Sequence, residues 1–108
     1  MASAHQQHPG LPIAVSIEGE HLVISLAGEV DLSNAGVLTT AISAATSESD
    51  AAVLIDIAEV SFVDSAFLRA VVLCQQALAR DGISVKVRNP NEQARRVFEI
   101  THLTELLA

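Results

Sequence analysis

The sequence predicts an α/β fold: one mixed sheet with helices packed against it. Three observations predict it. Apolar residues alternate with polar ones in the first third of the chain, the period-two pattern of strands. Residues 51–63, "AAVLIDIAEVSFV", form a near-continuous apolar run rich in Val, Leu and Ile. Such a run suggests a strand buried on both faces, as in a parallel sheet. After the first two strands, helical and extended patterns take turns, giving the order β-β-α-β-α-β-α. Strands separated by helices pair in parallel through right-handed crossovers.

Each element has its own warrant. Residues 1–12 are polar, with His5, His8, Pro9, Gly10 and Pro12, and read as a flexible N-terminal tail. Ile13, Val15 and Ile17, then Leu22, Ile24 and Leu26, alternate on either side of Gly19-Glu20. Two such runs around a short polar break predict a β-hairpin, Ile13–Glu18 and His21–Ala27. Leu38, Ala41, Ile42 and Ala45 fall at i, i+3, i+4 and i+7, one face of a helix, with Asp31 and Ser33 as N-cap candidates. A polar loop, "TSESD", ends that helix.

Asp56 interrupts the apolar run. A buried charge needs a partner, so it is expected at a strand end or hydrogen-bonded to a neighbouring loop. Next comes "DSAFLRAVVLCQQALARDG", with Phe67, Val71, Cys74 and Leu78 on one helical stripe and Gly82 as a stop signal. Cys74 on that stripe reads as a small core hydrophobe. "ISVKVRN" alternates Ile83, Val85 and Val87 with Ser84, Lys86 and Arg88, a strand. Asn89, Pro90 and Glu92 fit N-cap, N1 and N3 of a last helix. Its buried stripe is Ala94, Val97, Phe98 and Thr101, with Arg95, Arg96 and Glu99 pointing outward. "LTELLA" reads as a final apolar turn.

Composition narrows the function. One domain is the expectation for 108 residues, and 50% hydrophobic residues support a packed core. Six Lys plus Arg against thirteen Asp plus Glu give a net charge of −7. Nucleic-acid binding relies on a basic footprint or on aromatic stacking platforms. This chain has only three Phe and no Tyr or Trp, so nucleic acid is not an expected partner. An anionic membrane surface is disfavoured by the same charge. No apolar run approaches the ~20 residues of a spanning helix, and no secretory signal opens the chain. Membrane insertion is therefore not expected, and the location read is cytoplasmic.

Catalytic and metal chemistry find no assembled motif. Cys74 is the single cysteine, which excludes an internal disulfide and a multi-Cys metal site. His5 and His8 have no further ligand nearby in sequence. GxSxG, GxGxxG and GxxxxGK[ST] do not occur. Glu29 and Asp31, two apart, could share a strand face, an arrangement commoner at a solvated loop mouth. No catalytic residue, metal or cofactor is expected, and the chain reads as non-enzymatic.

Three stretches carry a resemblance. Gly28-Glu29-Val30-Asp31-Leu32, the segment from Asp56 to Ser65, and Arg96-Val97-Phe98-Glu99-Ile100-Thr101 with Leu103 stand in order and at matching spacing. Together they resemble the STAS domain family, best known as bacterial anti-sigma factor antagonists. The match places a single domain at 13–108. It implies a mixed four- to five-stranded sheet with packed helices, and a binding switch. In that family a serine at the start of the helix after the third strand is phosphorylated by an anti-sigma kinase. The unphosphorylated form binds the anti-sigma factor.

The family's Asp-Ser-Ser-Gly-Leu reads Asp64-Ser65-Ala66-Phe67-Leu68 here. The usual phosphoacceptor position is Ala66, and the glycine position is Phe67. Ser65 is then the phosphorylation candidate, and also a candidate N-cap of its helix. The resemblance implies partner docking around Asp31, Asp64, Ser65, Ala66 and Phe67. The implied partner is an anti-sigma factor or serine kinase protein, with a homo-oligomer possible. Two branches that keep only the first hydroxyl offer an alternative. One is the stressosome scaffold, the other the STAS subunit of lipid-transport ABC complexes.

Overall fold

The computed structural model describes residues 4–8, 11–47 and 50–108. Residues 11–100 follow the predicted order, β-β-α-β-α-β-α. The strands are β1 (Ala4–His8), β2 (Leu11–Glu18), β3 (His21–Val30), β4 (Ala52–Val63) and β5 (Val85–Arg88). The helices are α1 (Ala35–Thr46), α2 (Ser65–Ala79) and α3 (Glu92–Ile100), and a 3-10 turn follows at Thr104–Leu106. The five strands form one sheet in sequence order. β1, β2 and β3 are antiparallel, whereas β3, β4 and β5 run parallel.

Strand β1 corrects the expected tail. His8 stands opposite Leu11 and Ala4 opposite Val15, so much of the first dozen residues belongs to the sheet. Leu11 is wholly buried, and β2 starts two residues earlier than predicted. Residues 4–8, "AHQQH", show no apolar alternation because an edge strand is held by backbone pairing and tolerates polar side chains. Residues 1–3 and 9–10 of the expected tail, and 48–49 of the expected polar loop, lie outside the described residues.

The core forms on one face of the sheet. Register places Ile13 opposite Leu26, Leu22 opposite Val53, Ile24 opposite Ile55, and Ile55 opposite Val87. All of them are buried. Consecutive right-handed crossovers in one direction bring α1 and α2 to the same face, where they pack against each other. Leu38 and Ile42 of α1, Phe67 and Val71 of α2, and Phe98 of α3 complete the cluster. Cys74 joins it as predicted, and burial pushes its thiol pKa up.

Strand β4 is covered on one face, not on both as its apolar run suggested. Val53, Ile55 and Ile57 are buried, whereas Leu54 and Asp56 are half-buried and Glu59 and Ser61 exposed. Two irregularities in the β3–β4 ladder, between Ser25 and Ala27 and between Gly28 and Glu29, shift the pairing. Gly28 sits at φ +86°, a left-handed conformation that favours glycine. Asp56 braces the first irregularity, accepting from the Ala58 backbone N–H at 2.9 Å.

Candidate functional site

The two βα junctions of the parallel sheet lie side by side. Val30 pairs with Val63 at the C-terminal ends of β3 and β4, and the Asp64 N–H donates to the Val30 carbonyl at 3.2 Å. The chain leaves β4 through Asp64 alone into α2, and leaves β3 through a turn at residues 31–34 into α1. The N-termini of α1 and α2 therefore open on one edge, where the leading N–H groups are satisfied locally: those of Asn34 and Ala35 donate to the Asp31 carbonyl and that of Phe67 to the Asp64 carbonyl. Crevices at the carboxyl ends of parallel strands are the usual binding position in α/β sheets.

At the second junction the carboxylate is the cap. Asp64 Oδ1 accepts from the Ala66 N–H at 2.8 Å, and the backbone at Asp64 is extended, as an N-cap requires. Ser65 is thus the first helical residue rather than the cap. Its side chain is exposed, and its hydroxyl has no hydrogen-bond partner among the described residues. Ala66 is half-buried beside it.

Phe67 faces inward, which corrects its place in the expected docking set. It is 0% exposed and meets the Phe98 ring edge-on, centroids 6.4 Å apart at 84°. On a helix that starts at Ser65, the third residue turns toward the sheet. A buried ring cannot touch a docked partner. Its effect on the site runs through the placement of α2.

At the first junction Asp31 is held by its neighbours. The Ser33 hydroxyl and backbone N–H both donate to Asp31 Oδ1, at 2.6 and 2.9 Å. The Ser33 hydroxyl and N–H hold its carboxyl below the usual aspartate value. The N-cap of α1 is Asn34, not Asp31 or Ser33. Asn34 is 6% exposed. Its Oδ1 accepts from the Asp31 N–H at 2.9 Å and its Nδ2 donates to the Glu29 carbonyl at 2.8 Å. Glu29 itself is exposed. Asp31, Asp64, Ser65 and Ala66 are brought together at this edge, and Leu32, 84% exposed, stands among them.

Helix α3 fastens the end of β4, a role that sequence reasoning missed. β5 stops opposite Asp56, so the last residues of β4 lack a strand on that side. The Gln93 side-chain amide takes its place. Oε1 accepts from the Val63 N–H at 3.0 Å and Nε2 donates to the Val63 carbonyl at 2.8 Å. Asn91 Nδ2 donates to the Val60 and Ser61 carbonyls, both at 3.2 Å. Asn91 is also the N-cap of α3, accepting from the Ala94 N–H at 2.8 Å. The predicted cap was Asn89, which instead takes φ 62° in the turn. Asparagine tolerates that left-handed state, and the cap moves two residues on. The "NPN" repeat of Asn was the only signal available for Asn91.

A second polar cluster lies elsewhere, on the face of the sheet opposite the helices. Arg88 Nε donates to Asp56 Oδ2 at 2.9 Å, and its two terminal nitrogens reach Glu18 at 3.1 and 3.0 Å. Asp56 has the partner its burial demands. Burial raises its pKa, but the Ala58 N–H, Arg88 and Asn89 outweigh that and lower it on balance. Between β2 and β4 lies β3, where Val23 is buried on this same uncovered face. The arginine therefore spans the sheet as a clamp.

The edge at Ser65 offers docking chemistry: an exposed hydroxyl, two carboxylates and an exposed leucine. Among the described residues no carboxylate or imidazole is hydrogen-bonded to that hydroxyl. Among the described residues no group of three His, Cys, Asp or Glu side chains could hold a metal ion.

The sequence matches the family model described as "Mlab, STAS domain" over residues 13–108. No curated protein sequence matches the chain. Among solved structures, an anti-sigma factor antagonist from Mycobacterium paratuberculosis is 24% identical with a TM-score of 0.78, covering 91% of this chain and 83% of that one. The anti-sigma factor antagonist SpoIIAA in its unphosphorylated form is 21% identical with a TM-score of 0.77, covering 89% and 85%. Murine Slc26a9, an anion transporter, holds a similar fold within a longer chain. It is 17% identical with a TM-score of 0.66, covering 81% of this chain and 14% of that one. At such identities the shared feature is the fold.

Proposed function

The chain belongs to the STAS domain family, and on that premise we propose that it regulates transcription as an anti-sigma factor antagonist. It binds an anti-sigma factor, a serine kinase protein, with the edge formed by Asp31, Asp64, Ser65 and Ala66. The observation that supports this most is the pairing of the two βα junctions through Val30 and Val63, which sets an exposed Ser65 hydroxyl, without a hydrogen-bond partner among the described residues, at a helix N-terminus. The domain, matched to the family over residues 13–108 and extended by β1 and the start of β2, acts in the cytoplasm by docking and without a catalytic step. No described helix is long and apolar enough to cross a membrane.

Phosphorylation of Ser65 controls the docking. A phosphate adds a charge of about −1.5 to −2. At an exposed first-turn position it leaves the core untouched. A docked partner would have to desolvate that charge beside Asp31 and Asp64, which costs binding. No large conformational change is needed. The test is incubation with candidate anti-sigma kinases and ATP, followed by mass spectrometry and pull-down. Phosphate on Ser65, with loss of kinase binding once it is added, is the expected result. Modification elsewhere, or neither modification nor binding, refutes the proposal.

One observation favours a second reading. Ala66 carries no hydroxyl at the family's usual acceptor position, which the branches without a second serine share. In that reading the chain is a scaffold or regulatory subunit of a stressosome-like or lipid-transport ABC assembly. Size-exclusion chromatography distinguishes a megadalton particle from a small protein.

A further inference from the structure

An apolar groove of about 300 Å³ runs between α1 and α2, next to Ser65. Its floor is made of small residues, Ala35 and Gly36 on one side and Ala66 and Ala70 on the other. These positions recur at helical i, i+3, i+4 and i+7 spacing with the rim residues, so each helix offers one face to the groove. Leu32 and Leu73 stand on the rims, 84% and 48% exposed. Arg69 is the one charged side chain lining it. Among the described residues Arg69 has no ion-pair partner, although the chain carries a net charge of −7.

We infer that this groove seats one aliphatic side chain of the protein partner, with a carboxylate of the same partner segment placed against Arg69. The inference rests on the docking reading above and adds the chemistry of the partner's contact. Three observations converge on it. Ala66 belongs both to the groove and to the candidate docking edge, so the two surfaces are continuous. A wide, shallow, small-residue floor accepts a branched aliphatic side chain, and two exposed leucines on its rims would be covered by the segment that carries it. An unpaired arginine on the rim of an apolar seat selects an acidic residue, because opposite charge at an interface rim steers and registers a partner. A partner helix with Leu and Glu four residues apart presents both groups on one face.

The experiment uses the full chain and defined peptide probes. The probe is a helical Ala/Gln peptide with a single Leu and, four residues on, a single Glu. Binding is followed by NMR shifts of the backbone amides. Shifts at Gly36, Ala66 and Ala70 are expected, at least tenfold weaker binding when the peptide Leu becomes Ala, and weaker binding when its Glu becomes Lys. Arg69→Glu should reverse that preference toward the Lys peptide. Gly36→Leu should fill the groove and abolish the shifts. A Cβ at Gly36 meets nothing within 4 Å beyond its chain neighbours and its own helix backbone, and circular dichroism checks that the leucine variant folds.

Peptide shifts centred elsewhere, none at millimolar peptide, or an Arg69→Glu variant with unchanged preference overturns the inference. So does a concentration-dependent dimer of the wild type that Gly36→Leu abolishes, since a second copy then fills the seat. Failure of the docking reading looks different: the peptide binds the groove while no anti-sigma kinase binds the protein. A kinase that binds Gly36→Leu as tightly as the wild type sinks the groove and leaves the docking reading intact.

Discussion

Replacing Arg88 by Met removes the clamp on the uncovered face of the sheet and keeps most of its aliphatic bulk. Two ion pairs are lost, and they differ in weight. The Glu18 side chain is 54% exposed, and exposed pairs contribute little. The Asp56 side chain is only 14% exposed, so losing its partner leaves a mostly buried charge. Removing one member of a fully buried pair costs roughly 3–5 kcal/mol. Asp56 keeps the Ala58 N–H and the Asn89 amide, which reduces the loss to about 2 kcal/mol. For a domain of this size that lowers Tm by roughly 8–16 °C. Urea and thermal unfolding at pH 7 measure it. Glu18→Gln should change little.

The same variant makes a pH prediction with a definite sign. The carboxyl of Asp56 titrates below its ordinary value of 3.8 in the folded protein. Its stabilisation is therefore present above the unfolded-state value and lost as pH falls through the folded value. The stability gap between wild type and Arg88→Met should stay constant from neutral pH to about 5 and close below about 4. Two results would refute the reasoning. One is an Arg88→Met loss under about 0.5 kcal/mol, the size of an ordinary surface change. The other is a Glu18→Gln loss as large as that of Arg88→Met.

Substitutions at four further positions test the site. Asp64→Ala removes the cap of α2 and should cost about 1 kcal/mol, whereas Asp64→Asn keeps an acceptor for the Ala66 N–H and should cost less; urea titration separates them. Ser65→Ala should leave stability within about 0.5 kcal/mol, because the hydroxyl bonds to nothing described, while phosphate incorporation in the kinase assay drops to background. Phe67→Ala should cost roughly 3–5 kcal/mol, the usual loss for a fully buried ring, and a cost under 1 in thermal melts would contradict its burial against Phe98. Gly36→Ala should stabilise the protein by about 0.5–1 kcal/mol, since it adds a better helix former where the methyl meets open space. A lower Tm for that variant would count against the open floor of the groove.

Much of this protein was readable along the chain, and the reason is period. Ile13, Val15 and Ile17 alternate because a strand has two faces. Phe67, Val71 and Cys74 recur because a helix has one apolar stripe. Those spacings determined the hairpin, the helices and the parallel pairing, and the spacing of Gly28–Leu32, Asp56–Ser65 and Arg96–Leu103 pointed to the family. Capping was legible only in kind. Asp64, Asn34 and Asn91 are cap-type residues beside other cap-type residues, and local sequence does not say which of several neighbours takes the extended or left-handed backbone. What only the tertiary structure decided depends on residues far apart in the chain. Arg88 finds Glu18 across 70 positions, and Gln93 stands in for a strand at Val63 because β5 ends early. β1 joins the sheet through backbone pairing that leaves no side-chain pattern. The "DSAF" stretch shows both levels at once. Its residue types announced a helix start, but only packing against Phe98 turned Phe67 inward and left Ser65 facing out.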